Sequence, residues 1–487
     1  MRARGHTVMD AMHAAATSTT PTPAFAEVPV GTAPMARLRP FLPADGFEDL
    51  RRCAVRTRTL LADRSVWSVN SAASGGGVAE LLRTLLPYWR GCRANARWAV
   101  VRGTPPFFRV TKRLHNWLHG SRGDGGDLGA AELALFDRVS ALHADALARQ
   151  VAPGDVVLLQ DPQTAPLVAP LKKLGATVIW RCHVGADCPN VRVHRAWEVL
   201  LPRLQGADAV VFTRPSFVPA ELNGFGTHCI APAIDPAATK NRSLPPRLVA
   251  ELARGMGVVR GDPRASTWVA PAEVISDGPP PRPGIEPIVL SLCRWDRLKD
   301  PTGIIDAFAE TIAARTSAHL LLAGPAVGGV EDDPESADVF RTVLARWSGL
   351  SIEQRRRVHV VCLPLADVER NAAMVNVLQH IADVVVKKSR AEGFGLGVTE
   401  AMWKRRPVVA TAVGGQKDQV EHGRTGLLVD DPDDLVTFGA AVVDLLRHRA
   451  FAARLGHAGR DSVRSRFLPD HHFVAWSRVF ESVLGQA

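Results

Sequence analysis

From Val66 onward the sequence alternates short β-branched runs with longer amphipathic stretches, and no other feature narrows the fold as far. Runs of this length suit buried parallel strands, and the stretches between them suit crossover helices. Strands are expected at 66–69, 98–101, 156–159, 177–180, 209–212 and 228–230. The rhythm stops at SDGPPPRPGIEP, residues 276–287, which is too rich in Pro and Gly to continue a helix or a central strand. It then resumes, with strands expected at 288–293, 319–323, 358–362, 384–386, 408–410 and 426–429. Two doubly wound sheets joined by a linker follow. Ligands of such sheets sit beyond the carboxyl ends of the strands, so two facing sheets share one central cleft.

The division expected is a disordered or loosely packed tail over 1–45, a first α/β domain over 46–280 and a second over 281–468. Phe473, Val474, Trp476, Val479, Phe480 and Val483 recur at helical spacing, so 469–487 should form an amphipathic crossover helix that closes back. A length of 487 residues accommodates two such cores.

No stretch approaches the roughly 20 uncharged apolar residues needed to span a bilayer. Asp10 and His13 interrupt the one candidate secretory segment, so a cytoplasmic location is expected. The seven cysteines stand singly without a CxxC pair, which fits neither a disulfide framework nor a zinc ribbon. Cys182, His183, Cys188 and His194 match no usual zinc spacing, and no metal is assigned. A formal charge of +10 raises nucleic acid as a partner, but the basic residues are dispersed and accompanied by a single Tyr. A small anionic substrate would feel the same field.

The most informative segment is SRAEGFGLGVTEAMWKRRPVVATAVGG, residues 389–415. Glu392 precedes a Gly-Phe-Gly turn, and Glu400 follows within the helix that the turn feeds. Glycines let backbone N–H groups approach a ligand, and a helix amino terminus offers unpaired donors to an anion. A diphosphate would therefore lie over Phe394, Gly395, Leu396 and Gly397, with Glu392 toward a sugar and Glu400 toward a ribose. The competing reading is a helix start with a solvent-facing acidic first turn.

In LSLCRWDRLKDP, residues 290–301, Arg294 and Lys299 emerge at a strand end where a guanidinium fork and a point charge can grip phosphates. In NSAASGGGVAELL, residues 70–82, Gly76 and Gly77 open a helix, so that loop can pass close to the same ligand. It lacks the dinucleotide fingerprint, and no acidic residue ends the following strand, which argues against a nicotinamide dehydrogenase. Asp161 and Gln163 follow one strand and Arg181, His183 and Asp187 the next, all at the edge that faces the cleft.

The paired-glutamate segment resembles that of retaining GT-B glycosyltransferases, and its continuation TEAMWKRRPVV with AVGG looks like the trehalose synthase and trehalose phosphorylase branch. GGGVAE, FFRVTKRLHNWLHG, WRCH and APAIDP are similar to the same family's segments, and the resemblance spans about 66–446. It implies a GT-B fold and places Glu392, His183, Arg294 and Lys299 in the catalytic set. Gly76, Gly77 and 393–396 with Glu400 would join Arg294 and Lys299 around the donor, and Asp161, Gln163, Arg181, His183 and Asp187 would bind the acceptor. The 107–120 segment would border the acceptor pocket, and backbone groups near 362–365 would meet the nucleotide base. Ala233 stands where the family has Ser, which puts a hydroxyl contact there in doubt, and Gly397 and Gln416 stand where Thr and Ile are common, departures expected to loosen or reshape the cleft.

The implied activity is transfer of glucose from a nucleoside diphosphate glucose, such as UDP- or ADP-glucose, to glucose with retention, forming trehalose. No cofactor is implied, and a divalent cation would be at most non-essential. Sugar and nucleotide-sugar substrates are the expected partners, without nucleic acid or membrane, in a monomer or homodimer. The rivals are a phosphorylase using glucose 1-phosphate, a transferase with another acceptor, and a sugar-nucleotide sensor without turnover.

Overall fold

Fourteen strands are found among the described residues, which in the computed structural model are 24–266, 268–269, 271–327 and 333–485. β1 (Phe25–Val28), β2 (Ser65–Asn70), β3 (Asn95–Val101), β4 (Val156–Gln160), β5 (Thr177–Cys182), β6 (Ala209–Phe212) and β7 (Thr227–Cys229) form the first sheet. Its order is β1-β3-β2-β4-β5-β6-β7, parallel except for β1. β8 (Glu273–Ile275), β9 (Ile288–Leu292), β10 (His319–Pro325), β11 (Val358–Leu363), β12 (Val384–Lys387), β13 (Val408–Thr411) and β14 (Leu427–Val429) form the second. Its order is β14-β13-β12-β9-β10-β11-β8, parallel except for β8.

The central strands read as unbroken apolar runs because both faces of each sheet are covered. In β4, Val157 and Leu159 enter one core while Val156 and Leu158 enter the core on the opposite face. Ile288 and Leu290 of β9 likewise face one core and Val289 the other.

The structure corrects the expected organisation at two places. Residues 1–23 lie outside the described residues, but from residue 24 the expected loose tail is part of the first domain. β1 pairs with β3, and Ala33 and Leu38 are buried. Gly91 lies so close to the Ala33 carbonyl that a side chain there would collide with it. The second correction concerns the linker. The Pro246–Gly255 helix already places Val249 and Leu252 in the same core as Ile288 and Leu290, and β8 pairs with β11. The chain has thus joined the second core well before 276–287.

The return crossing falls at the last helix, Pro469–Leu484. Phe467 and Leu468 belong to the second domain's core, whereas Phe473, Trp476, Val479 and Phe480 belong to the first's. Trp89 meets Trp476 and Phe480 edge-on, with ring centroids 5.9 and 5.5 Å apart. Burial of each such ring is worth about 1.5–3 kcal/mol, enough to hold this helix on the other domain. No described helix is long and apolar enough to cross a membrane.

Candidate active site

Each sheet has a point where successive connections leave in opposite directions. In the first it lies between β2 and β4, and in the second between β9 and β12. Such points open a crevice at the strand carboxyl ends. The two crevices face one another across a cavity of about 640 Å³. Gly76, Gly77, Asp161, Gln163 and His183 line it from the first domain, and Arg294, Lys299, Glu392–Leu396 and Glu400 from the second.

After β12 the chain turns at 388–395 and enters the helix Leu396–Trp403, whose amino-terminal cap is Gly395 at φ 90°. Two glycines make the turn possible. A side chain on Gly393 would collide with the His183 carbonyl oxygen, and one on Gly414 with the Glu392 carbonyl. The first contact joins the domains and leaves a backbone carbonyl beside the paired-glutamate turn.

Lys299 donates to Glu392 Oε1 at 2.7 Å, and Ser389 Oγ donates to Oε2 at 3.3 Å. Burial by itself would raise the Glu392 carboxyl, but the charge and hydrogen bond of Lys299, followed by Lys387 and His119, hold it below the ordinary carboxylate value. Gln416 Nε2 donates to Ser389 Oγ at 3.3 Å, and Thr411 Oγ1 donates to Gln416 Oε1 at 3.3 Å. Gln416 was expected to loosen or reshape the cleft. Instead it is buried and supports the hydroxyl that holds Glu392.

Glu400 is buried, not solvent-facing. Lys240 Nζ lies 3.0 Å from Oε1, and Gln379 donates to Oε2 at 3.1 Å. Burial pushes the Glu400 carboxyl up, but Lys240 and Lys404 outweigh it and the net shift is downward. Lys240 also reaches Glu80 of the Gly77–Gly91 helix at 3.5 Å, tying the glycine loop to the glutamate helix. Sequence reasoning missed this residue, which stands four positions beyond the quoted APAIDP.

Arg294 lies in an ionic cluster that spans both domains. Its guanidinium is 3.3 Å from Asp333 and 3.5 Å from Asp296. Lys112 of the Pro105–Leu118 helix reaches the same pair at 3.3 and 2.8 Å. Burial would raise the Asp296 carboxyl, but Lys112 and Arg294 drive it well below its ordinary value. Removing one partner of a buried pair leaves an uncompensated charge. Lys112→Met is therefore expected to cost about 3 kcal/mol of unfolding free energy, measured by urea titration, with Lys112→Arg recovering part of it. An unchanged urea midpoint would show that the cluster does not hold the domains.

The 107–120 segment borders the cavity through Lys112, His115 and His119. His119 Nδ1 lies 2.9 Å from the Gly185 carbonyl, which only accepts. The proton is therefore on Nδ1, and Nε2 is left as an acceptor. Burial and then the nearby Lys299 push this imidazole down to about 4, so it is neutral at ordinary pH.

His183 lines the cavity with its side chain anchored to Gln160 Oε1 at 2.8 Å and its N–H on Asp161 Oδ1 at 2.8 Å. Burial, then Arg181 and His472, keep it uncharged by lowering it well below the usual histidine value.

Two of the expected acceptor residues are not in the cavity wall. Arg181 is buried with one nitrogen on the Ile230 carbonyl at 3.1 Å and another 3.2 Å from His472 Nε2, and it lies over the Trp476 ring. It anchors the last helix. Asp187 is engaged by Arg214 and Lys417, both at 2.7 Å, and by the Gly414 N–H at 3.0 Å. It bridges the domains behind the site. Both side chains leave a strand edge that faces the cleft, but stronger partners turn them away from it.

The cavity also takes in Leu363 and Leu365 at the end expected for the base, and Arg37 from the N-terminal segment. Arg37 donates to the Ala237 carbonyl at 2.7 Å and pairs with Asp235 at 3.7 Å. Nothing in the composition of 1–45 marked it for that place. Among the described residues, no group of three His, Cys, Asp or Glu side chains is placed to hold a metal ion.

Comparison with known proteins agrees with this architecture. Residues 68–219 match the family described as "Trehalose synthase, N-terminal domain", and residues 286–448 match "Glycosyl transferases group 1". A trehalose synthase from Rubrobacter xylanophilus is 33% identical over 454 residues, which cover 93% of this chain and 97% of that protein. A trehalose synthase from Thermococcus litoralis is 31% identical over 427 residues, covering 87% and 91%. Among solved structures, an α,α-trehalose 6-phosphate synthase from Burkholderia multivorans superposes with a TM-score of 0.62 at 16% identity, covering 87% of this chain and 98% of that one. That likeness establishes the GT-B fold. With near full-length identity above 30% to the first two proteins, the chain belongs to the trehalose synthase family of GT-B glycosyltransferases.

Proposed function

We propose that this glycosyltransferase of trehalose metabolism moves glucose from a nucleoside diphosphate glucose to glucose, with retention at the anomeric carbon, forming trehalose. The observation that carries the reading is the Glu392–Lys299 pair, set where the His183 carbonyl abuts Gly393 and Arg294 stands at the end of β9. Arg294, Lys299 and the amino terminus of Leu396–Trp403 would take the negative charge that develops as the bond from the anomeric carbon to the diphosphate breaks. The bond's electron pair goes to the phosphate oxygen. The acceptor's anomeric hydroxyl then attacks on the same face and passes its proton to that oxygen. The His183 carbonyl would stabilise the cation-like sugar, and Glu392 would hold the hydroxyls of the transferred glucose. Glu400 would meet the ribose, and Asp161, Gln163 and His119 the acceptor. The chemistry calls on no cofactor, and a divalent cation would have at most an auxiliary role.

The test is a screen of UDP-, ADP- and GDP-glucose against glucose, with product and anomeric configuration read by NMR. α,α-Trehalose and free nucleoside diphosphate are expected. Trehalose formed only from glucose 1-phosphate, with phosphate released, would make the protein a phosphorylase. Product only with glucose 6-phosphate would change the acceptor, and nucleotide binding without product would leave a sensor.

A further inference from the structure

The cations around the cavity are almost all matched by carboxylates. Lys299 faces Glu392, Lys240 faces Glu400 and Glu80, Lys112 and Arg294 face Asp296 and Asp333, and Arg37 faces Asp235. Arg83 has no acidic partner among the described residues, but its guanidinium donates to the Ala73 carbonyl and lies over Trp98. Lys387 is different. It ends β12, lines the cavity and is partly buried, and its ammonium donates to one backbone carbonyl, that of Leu292. No carboxylate of the described residues lies within ion-pair distance of it.

Its place is set by Gly397. A β-carbon on Gly397 would stand 2.7 Å from Lys387 Cε and 2.9 Å from Nζ, so the absence of a side chain there makes room for the lysine. Gly397 is the second residue of the Leu396–Trp403 helix, whose first N–H groups have no helical partner. A cation enclosed by protein with no described carboxylate in contact, beside an anion-favouring helix end, is electrostatically incomplete until an anion arrives. Burial, the largest influence on Lys387, lowers its pKa below the ordinary lysine value, and the more distant Glu392 and Glu400 carboxylates do not offset it.

We propose that Lys387 is a third cationic contact to the donor's diphosphate, alongside Arg294 and Lys299, in the space that Gly397 leaves open. This rests on the nucleotide-sugar reading above and adds to it a residue that no motif in the sequence singled out. It also gives the Gly397 departure a role: the small residue admits a lysine to the phosphate site.

Isothermal titration of the full-length protein with UDP and ADP, and in parallel with uridine and adenosine, tests this. Lys387→Met is expected to weaken diphosphate binding about 10- to 100-fold, the range for a lost charge-assisted contact, while nucleoside binding is unchanged. Lys387→Arg should recover most of the loss, and Gly397→Thr should reproduce it by displacing the lysine. Thermal melts establish that the variants are folded. Wild-type diphosphate affinity in Lys387→Met would overturn the assignment, as would equal losses for nucleoside and diphosphate, which mark a structural role. Wild-type protein that binds neither diphosphate would instead sink the donor reading, and this inference with it.

Discussion

Glu392→Gln is expected to lower kcat on the order of 10³-fold while the melting temperature moves by no more than a few degrees. The substitution keeps the shape and removes the charge. Glu392 lies in the cavity wall with one oxygen on Lys299 and the other on Ser389, and a glutamine can retain one such contact. What it cannot do is accept at both oxygens, which is how a carboxylate holds neighbouring sugar hydroxyls. The loss should fall on kcat more than on donor KM, because the diphosphate contacts are made by other residues. Steady-state kinetics with a nucleoside diphosphate glucose and glucose provide the measurement. Wild-type kcat in Glu392→Gln would remove the carboxylate from the chemistry.

Lys299→Met is the second large effect, with kcat/KM expected to fall about 10²- to 10³-fold. Two causes combine. The departing diphosphate loses a positive charge, and Glu392 loses the partner that most opposes the effect of burial. The sign follows directly. With Lys299 present the carboxyl lies below its ordinary value; without it, burial is opposed only by the weaker influence of Lys387 and His119 and the value moves upward. The acid limb of the pH–rate profile should therefore shift to higher pH, so that the variant loses activity where wild type retains it. The carboxyl also contributes stability through its depressed value, present above the unfolded value and lost as pH falls through the folded one. That contribution shrinks in the variant, and acid unfolding should begin at higher pH. A rate loss with an unmoved acid limb would separate Lys299 from Glu392 and leave it a phosphate contact alone.

Much of this architecture was legible because buried parallel strands must be apolar on both faces, which leaves runs such as VVLL and IVLSL in plain view. The elements that escaped notice are edge strands. β1 reads FAEV within a Pro- and Ala-rich stretch and β8 reads EVI before the proline-rich linker. An edge strand pairs on one side only and needs little apolar sequence. The linker misled for a related reason. Pro and Gly mark where regular structure stops, not where the chain changes cores, and the change occurs earlier, where Ile234 and Val249 join the second interior.

The candidate site divides the same way. Glu392, Glu400, Arg294 and Lys299 could be picked out because their chemistry depends on local backbone: a glycine turn into a helix, or the end of a strand. Arg181 and Asp187 could not be sorted from Asp161 and His183, since all four leave adjacent strands at the same edge. Only the arrival of Trp476 and His472 over Arg181, and of Lys417 and Gly414 beside Asp187, turned those two away from the cavity. Lys240, Lys112, Arg37 and Lys387 were invisible for the converse reason, because each is an ordinary basic residue until distant segments close around it. Local pattern determined two wound sheets and the turn that bears Glu392, since hydrogen-bond geometry and side-chain periodicity act between near neighbours. Which charges share the cleft was decided by tertiary structure, because Coulomb energy and desolvation depend on distances that the order of residues does not contain.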